Sequence, residues 1–272
     1  MARINGVSFC DNPDIEGFCR TVVDTGFDSL EVSRPPFFEK LKTRNVRQRF
    51  AAWTTELGLS LYGFDCWVDV LPYDRLDETI AGFEAAIAFA ADLELGMLIS
   101  HDPWVHDNGD RSPSECLQTN IDLFRRVAAM CHENSLRLVL EPHPDTLSMD
   151  NNWAIDFVDG ITDGNHYDVG ILYDLCHYGV GQPDNYLKSI GTLGERIRHM
   201  HYCDGDKETY ALHLPFGDGA IDLEAAVEAL LDISYAGSLT NDLYSNPMPK
   251  DSARRNVEHV REVETRLGLT DS

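Results

Sequence analysis

Leu138–His143 reads LVLEPH, an apolar run of strand length that ends in a carboxylate and a histidine. Three later stretches repeat the pattern: ILYDLCH at Ile171–His177, IRHMH at Ile197–His201 and SLTND at Ser238–Asp242. Segments with a helical spacing of apolar residues separate the four runs. Strands that alternate with helices in this way predict a parallel sheet covered by helices.

The same alternation extends through the first half of the chain. Four further apolar runs predict strands at Ile4–Phe9, Ser29–Val32, Leu59–Phe64 and Met97–Ser100. The intervening segments predict helices at residues 13–25, 42–57, 75–94, 113–134, 150–159, 184–194, 222–233 and 250–267. Eight strand–helix units in 272 residues favour an α/β fold, a single (β/α)8 TIM barrel that spans residues 1–272 as one catalytic domain. An open doubly wound sheet is the competing arrangement.

Local signals mark the ends of several elements. Gly26, Gly58 and Gly96 each stand between a helical segment and a strand, where left-handed glycine caps are common. Ser112, followed by Glu115, is typical of a helix start. No Gly-rich dinucleotide or phosphate-binding fingerprint follows any predicted strand.

The composition excludes several classes of function. The chain has 46 Asp and Glu residues against 22 Lys and Arg, which gives a formal charge of −24 at pH 7. Nucleic acids and anionic membranes are bound mainly by Lys and Arg, so we expect neither as a partner. The seven cysteines form no C-x-x-C pair, which argues against a disulfide framework and a thiolate zinc site. Since no signal peptide and no apolar run of about 20 residues is evident, the sequence predicts a cytoplasmic protein.

The last four predicted strands each end in a side chain that can bind a metal: Glu141, Asp174, His201 and Asp242. In a barrel the carboxyl ends of the strands converge on one mouth, so these side chains would lie close together. Each residue alone has a plain alternative, as a helix N-cap or as a hydrogen-bonded structural histidine. Together, three carboxylates and one imidazole predict one divalent ion, with Mn²⁺ preferred over Mg²⁺, Co²⁺, Fe²⁺ or Zn²⁺.

Aromatic side chains follow several strands and would surround the same mouth; they are Phe37, Phe38, Trp67, Trp104, Phe216 and Tyr244. Aromatic faces stack on sugar rings and planar aglycones, although ordinary loop packing also explains some of these residues. His101 and Asp102 close the fourth strand, where they either bind substrate or cap the next helix. Few basic residues lie near the mouth, which favours an unphosphorylated substrate.

Four motifs carry a resemblance to a known family. They are LEPH at Leu140–His143, DLCH at Asp174–His177, HYCD at His201–Asp204 and LPFGDGAID at Leu214–Asp222. The chain resembles the sugar-phosphate isomerase/epimerase-like, or xylose isomerase-like, TIM barrels. This family includes ketose epimerases, inosose dehydratases and AP endonucleases, and the resemblance covers nearly the whole chain.

The resemblance implies roles for single residues. It implies that one divalent metal is held by Glu141, Asp174, His201 and Asp242, and that His177 touches the substrate. In ketose epimerases the carboxylates after strands five and eight are also the paired acid and base, which here are Glu141 and Asp242. The family usually has a glutamate as the fourth ligand, so the shorter side chain of Asp242 departs from its pattern.

The chemistry expected at such a site is proton transfer next to a ketone. A divalent ion bound to a ketone and its neighbouring hydroxyl stabilises the enediolate that forms when the α-proton leaves. Strand alternation would point His143 the same way as Glu141, so His143 is a candidate base, while a loop histidine bonded to backbone is its alternative. The leading hypothesis is an isomerase or epimerase of a ketose, keto-sugar or cyclitol, with His143, Glu141 and Asp242 as catalytic residues. Substrate contacts are expected from His101, His177, Trp67, Trp104, Asp204 and Phe216.

Other functions share this barrel. A lyase with the same enolate chemistry is the second hypothesis, either inosose dehydratase-like or the catalytic subunit of a C-glycoside deglycosidase, which the chain also resembles. That subunit works with a small partner chain, whereas the other hypotheses allow a homo-oligomer. The arginine that ketose epimerases carry after strand seven has no counterpart between Asp204 and His213, which weakens epimerisation of free ketohexoses. An AP endonuclease is disfavoured, because Ala211 stands where its trinuclear zinc site needs an aspartate, and a non-catalytic binding protein is the last alternative.

Overall fold

Strands and helices alternate along the chain. The computed structural model describes residues 1–6, 14–34, 37–68, 70, 75–246 and 248–269. Within these residues the strands are β1 (Arg3–Asn5), β2 (Ser29–Ser33), β3 (Ser60–Asp65), β4 (Met97–Ser100), β5 (Arg137–Leu140), β6 (Val169–Asp174), β7 (Ile197–Tyr202), β8 (Asp204–Gly205), β9 (His213–Leu214) and β10 (Ser238–Asn241). The helices are α1 (Ile15–Thr25), α2 (Phe37–Lys40), α3 (Arg44–Leu57), α4 (Leu76–Asp92), α5 (Pro113–Glu133), α6 (Asn151–Thr162), α7 (Leu175–Gly181), α8 (Tyr186–Leu193), α9 (Leu223–Asp232) and α10 (Pro249–Leu267).

Eight of the strands close into a barrel in the order β1-β10-β7-β6-β5-β4-β3-β2. All eight pairings are parallel, and β1 closes the ring by pairing with both β2 and β10. The predicted (β/α)8 barrel is therefore confirmed, and the doubly wound sheet is excluded. The hairpin of β8 and β9, which was not predicted, lies outside the barrel sheet.

The apolar runs located the barrel strands closely. The strands at Met97–Ser100 and Val169–Asp174 have the predicted bounds. The first strand begins earlier than predicted, at Arg3, and residues 7–9 of the predicted strand Ile4–Phe9 lie outside the described residues. Neither α2 nor α7 was predicted, because each is only one or two turns long and offers little helical periodicity.

Two of the three expected glycine caps are present. Gly26 and Gly58 follow α1 and α3 with φ values of 104° and 81°, a backbone conformation that favours glycine. Gly96 is not such a cap, because the chain takes its left-handed turn earlier, at Glu94, where φ is 58°. Ser112 and Glu115 form the capping box that starts α5.

Alternate residues of the barrel strands face two different cores. Leu98 and Leu138 belong to the large apolar cluster that the helices cover. Met97, Ile99 and Val139 belong to a separate buried cluster. Because successive side chains of a strand point to opposite sides, this second cluster fills the interior of the barrel. A ligand is therefore expected at the mouth rather than within the barrel.

The structure corrects the expected position of two aromatic residues. Phe37 was expected at the mouth, but it is fully buried and packs edge-to-face against Phe18 and Phe50. Phe38 stacks on Phe64 of β3. The short helix α2 turns both rings into the layer between the barrel and its helices, where they bury more apolar surface than at a solvated mouth.

Among the helices of the described residues, none combines the length and the apolar character that a membrane span requires.

Candidate metal centre

The four predicted metal ligands converge at the carboxyl end of the barrel. The Nδ1 atom of His201 lies 3.0 Å from Oε1 of Glu141, 3.4 Å from Oδ2 of Asp174 and 3.6 Å from Oδ2 of Asp242. All four side chains are buried. Each comes from a different strand end, β5, β6, β7 or β10, so closure of the barrel brings them together.

The atoms at the centre of this group fit a cation. Within the described residues, neither His201 Nδ1 nor Asp174 Oδ2 meets a partner with hydrogen-bond geometry, although both atoms are buried. Buried polar atoms without hydrogen bonds are costly unless a water or an ion satisfies them. Three carboxylates and an imidazole nitrogen are suitable donors for a divalent ion such as Mn²⁺, Fe²⁺, Co²⁺ or Zn²⁺.

Glu31 orients His201, the candidate histidine ligand, through the ring nitrogen that does not face the three carboxylates. Its Oε1 accepts a hydrogen bond from Nε2 of His201 at 2.9 Å, and its Oε2 accepts one from Nε2 of His199 at 2.7 Å. Glu31 is fully buried in β2. A hydrogen on Nε2 of His201 leaves the Nδ1 lone pair directed at the three carboxylates, as a metal ligand requires.

The protonation of the group reflects its negative charge. Burial by itself would raise the pKa of Glu31, but His201 and His199 lower it to about 2. Burial would lower the pKa of His201, yet Glu31 and Glu141 raise it well above its usual value. Burial would raise the pKa of Glu141, but the neighbouring His201 holds it well below its usual range. The cluster attracts positive charge, which a proton or a divalent ion can supply.

Asp174 fulfils the N-cap alternative that the sequence left open, and its geometry leaves room for the other, a metal ligand. Its Oδ1 accepts a hydrogen bond from the backbone N–H of His177 at 2.9 Å, so it is the N-cap of α7. Its Oδ2 faces His201. The cap holds the carboxylate in one orientation and leaves the second oxygen for a metal.

A cavity of about 780 Å³, counted out to open solvent, lies over this group. Such a volume suits a small-molecule ligand. The described residues that line it are Asp65, Trp67, Ser100, His101, Trp104, Glu141, His143, His177, His201, Tyr210, Ala211, His213, Asp242 and Tyr244.

Several expected substrate-binding residues line this cavity. The rings of His143 and His177 have centroids 4.1 Å apart, and His143 Nε2 lies 3.5 Å from Oε2 of Glu141. Trp104 packs against His101 at 4.6 Å. Trp67 is 44% exposed at the rim. Burial lowers the pKa of His177 to about 4, so its ring is neutral at pH 7 and donates Nδ1–H to the carbonyl of Pro142.

Two other expected substrate contacts lie elsewhere. The carboxylate of Asp204 is buried and accepts hydrogen bonds from the backbone N–H groups of Gly205, Gly217, Gly219 and Ile221 at 2.8–3.1 Å. Phe216 packs against the rings of Tyr202 and His259. Neither residue is among the described residues of the cavity wall, because both hold the loop that precedes α9.

The sequence reasoning missed several residues of the site. Glu31 stands in the middle of β2, where alternation with Leu30 and Val32 could have indicated an inward-facing carboxylate. Asp65 ends β3, so the strand-end rule applied to the later strands would have found it. Burial, together with Glu141 and Glu31, raises the pKa of Asp65 well above its usual value, and Trp67 donates a hydrogen bond to it at 2.8 Å.

His213 also lies at this site, although no strand of the barrel carries it. Its Nδ1 is 3.3 Å from Oδ2 of Asp242, and its ring is almost completely buried. His213 stands in β9, a two-residue strand that no periodic pattern of the sequence indicated.

Curated proteins resemble the chain at low identity. A fructoselysine 3-epimerase from Shigella flexneri is 24% identical over 263 residues, which cover 91% of this chain and 92% of the epimerase. An uncharacterized protein from Methanocaldococcus jannaschii is 22% identical over 166 residues, which cover 60% of this chain and 55% of that protein.

Solved structures share the fold. The D-psicose 3-epimerase of Clostridium cellulolyticum H10 superposes with a TM-score of 0.79 at 17% identity, covering 97% of this chain and 99% of the epimerase. An IolI protein with a bound zinc atom superposes with a TM-score of 0.80 at 16% identity, covering 100% of this chain and 99% of that protein. The sequence pattern of the xylose isomerase-like TIM barrels matches residues 19–263. The chain therefore belongs to the xylose isomerase-like TIM barrel family.

Proposed function

We propose that this protein is a divalent-metal-dependent isomerase or epimerase of a ketose, keto-sugar or keto-cyclitol. The observation that carries the proposal is the meeting of Glu141, Asp174 and Asp242 around the buried Nδ1 of His201, at 3.0–3.6 Å. The likeness to a fructoselysine 3-epimerase over 91% of the chain supports the same class of reaction.

The proposed metal is held by Glu141, Asp174, His201 and Asp242, with Mn²⁺ preferred and Mg²⁺, Co²⁺, Fe²⁺ or Zn²⁺ as alternatives. When bound, it would polarise the ketone and neighbouring hydroxyl of the substrate and stabilise the enediolate. Glu31 keeps the hydrogen of His201 on Nε2, so Nδ1 remains a donor to the ion.

Proton transfer falls to side chains on two sides of the cavity. Glu141 and His143 lie together, with 3.5 Å between Oε2 and Nε2, so a proton taken by one can pass to the other. Asp242 follows β10 and Glu141 follows β5, two strands that β6 and β7 separate, so Asp242 can serve as the second base that epimerisation requires. The side chain of Asp242 is short, so its reach to the substrate carbon is the step that experiments should test first.

The charge of the cavity wall limits the substrate. Among the described residues that line the cavity there is no Lys or Arg, whereas Asp65, Glu141 and Asp242 are present. A phosphate group needs cationic or N–H donors, so the proposed substrate is unphosphorylated. The rings of Trp67, Trp104, Tyr210 and Tyr244 offer apolar faces to a sugar ring.

A lyase that expels a β-substituent from the same enolate is the second candidate. The observation that favours it is the contact of His143 with Trp104, whose ring centroids are 5.1 Å apart. A histidine beside an aromatic wall could protonate a planar leaving group as it departs. A deglycosidase of this kind would in addition work with a small partner subunit.

The test begins with the purified protein and its metal content. We expect about one Mn, Fe, Co or Zn per chain in the wild type and none in Asp174→Ala. Asp222→Ala is the matched control, because Asp222 also caps a helix, α9, but lies outside the site. Absence of metal after reconstitution of the folded wild type would overturn the proposal.

The second step measures proton exchange in D₂O with a panel of ketoses and keto-cyclitols. Deuterium that enters the α-carbon while the carbon skeleton and its substituents are retained identifies an isomerase or epimerase. Loss of water or of an aglycone identifies the lyase. A metal-loaded wild type that exchanges no α-proton and eliminates no group from any member of the panel would reject both.

A further inference from the structure

His213 reaches the metal centre from a hairpin outside the barrel. After β7 delivers His201, the chain turns through β8 and returns in β9, where His213 pairs with Gly205. The backbone N–H of His213 donates a 3.0 Å hydrogen bond to the carbonyl of Tyr244, which follows β10. The hairpin is thereby tied to the end of the last barrel strand, and the imidazole lies over the site with only 1% of its side-chain surface exposed.

The hydrogen bonds of His213 determine which nitrogen carries the hydrogen. Its Nε2 lies 3.0 Å from the carbonyl oxygen of Tyr210, which can only accept, so Nε2 carries the hydrogen. A ring that binds a metal must be neutral, and with its hydrogen on Nε2 it presents the lone pair of Nδ1. This nitrogen is buried and meets no partner with hydrogen-bond geometry among the described residues.

His201 and His213 are arranged alike around one carboxylate. In both rings Nε2 donates to an oxygen outside the centre, and Nδ1 is a buried atom without a hydrogen bond inside the described part of the chain. The two Nδ1 atoms lie 3.6 Å and 3.3 Å from the same oxygen, Oδ2 of Asp242. Lone pairs that face a carboxylate oxygen at this distance repel it unless a proton or a metal ion lies among them.

We propose that His213 is a fifth protein ligand, binding through Nδ1 the same ion as the four strand-end residues. This inference rests on the proposed function, because it needs the metal centre to be real. The short side chain of Asp242 gives the reason for a fifth ligand. A carboxylate one methylene shorter than glutamate reaches less far toward the ion, and an imidazole from the hairpin supplies the missing coordination.

The decisive measurement counts imidazoles on the wild-type protein, so it does not depend on a variant that folds. X-ray absorption fine structure of the Zn²⁺-loaded protein separates one from two imidazoles through their multiple-scattering pattern. We expect two, from His201 and His213. One imidazole would mean that His213 merely shares a proton with Asp242, and would overturn the inference while leaving the proposed function standing.

Variants supply a second readout in the affinity for Zn²⁺, measured by competition with a chromophoric chelator. His213→Ala should weaken binding at least about tenfold, since loss of an outer contact alone costs that much. His213→Asn should restore part of it, because the amide oxygen of asparagine reaches the region of Nδ1. His259→Ala is the matched control, as His259 packs on Tyr202 and Phe216 away from the site.

The outcomes distinguish the proposed function from the proposed fifth ligand. If the wild type binds no metal, the proposed function and the fifth ligand fail together. If the wild type binds one ion and folded His213→Ala binds it as tightly with an unchanged spectrum, the fifth ligand alone fails. Co²⁺ provides the spectrum, because its visible absorption grows stronger as the coordination number falls from five to four.

Discussion

The Nε2 atom of His201 lies 2.9 Å from Oε1 of Glu31, although 170 residues separate them along the chain. The hydrogen bond crosses the barrel from β7 to β2 and is fully buried at both ends. It fixes the tautomer of the candidate ligand, and His199 holds the second oxygen of Glu31 in place. The orientation of the proposed metal ligand therefore depends on a residue that has no contact with the metal itself.

Replacing the carboxylate of Glu31 should weaken metal binding. Glu31→Gln keeps the size of the side chain but removes its charge and one acceptor oxygen, so His201 is held less firmly. We expect a 10- to 100-fold loss of Zn²⁺ or Mn²⁺ affinity, measured by chelator competition. Glu264→Gln is the matched control, since Glu264 is also buried but pairs with the amino terminus, away from the centre. Equal affinities in the two variants would show that Glu31 has no part in the centre.

Asp204 should be required for the stability of the loop before α9 rather than for substrate binding. Asp204→Asn turns one acceptor oxygen into a donor facing backbone N–H groups, those of Gly217 and Gly219 among them. Hydrogen bonds to a charged group contribute about 1.5–3 kcal/mol each, so we expect a loss of roughly 3 kcal/mol in the free energy of unfolding. Denaturant unfolding measures it.

The control for Asp204 lies in the loop before α9, which the Asp204 carboxylate binds. Asp218 pairs with Arg255 on the surface, and Asp218→Asn should leave the unfolding free energy nearly unchanged. The metal content of Asp204→Asn should stay at the wild-type level, because the carboxylate does not face the centre. A folded, equally stable Asp204→Asn protein with impaired substrate binding would restore the role expected from the sequence.

Asp102 should make the protein less stable as the pH rises from about 4 to about 6. Burial raises its pKa from 3.8 to about 6, although Ser148 donates hydrogen bonds that oppose the shift. Between these pH values the Asp102 carboxyl group keeps its proton in the native state and loses it in the unfolded state. The unfolded state is therefore stabilised relative to the native state, and the free energy of unfolding falls as the pH rises. Asp102→Asn should remove about 3 kcal/mol of this pH-dependent loss.

Unfolding free energies at pH 4, 5 and 6 test this prediction. Asp110→Asn is the control, because Asp110 is exposed in the same connection between β4 and α5. Its profile should run parallel to that of the wild type. A slope in Asp102→Asn equal to that of the wild type would show that the Asp102 carboxyl titrates normally in the native protein.

The sequence predicts the strands and site residues whose positions depend on short stretches of the chain. Apolar runs gave the bounds of Met97–Ser100 and Val169–Asp174, and the rule of strand ends collected Glu141, Asp174 and His201 before any contact was known. Glu31 was missed because its role arises only when the barrel closes through β1 and β10 and brings the side chains of β2 and β7 together. His213 escaped for a similar reason, since its two-residue strand carries no periodic signal and gains its position from the hairpin and from Tyr244.

Phe37 shows where local pattern and tertiary packing disagree, and it yields the last prediction. A phenylalanine after a barrel strand was expected at the mouth, yet its ring is fully buried between Phe18 and Phe50, at centroid distances of 5.6 Å and 5.9 Å. Phe37→Ala should lower the free energy of unfolding by about 3–5 kcal/mol through the cavity it leaves, while the metal content of the folded fraction stays unchanged. Trp67→Ala, at the rim with 44% of its surface exposed, should cost less stability, about 1–3 kcal/mol through the lost hydrogen bond to Asp65, but should raise KM for the substrate that the D₂O screen identifies. A stable Phe37→Ala protein with weakened substrate binding would return Phe37 to the mouth of the barrel.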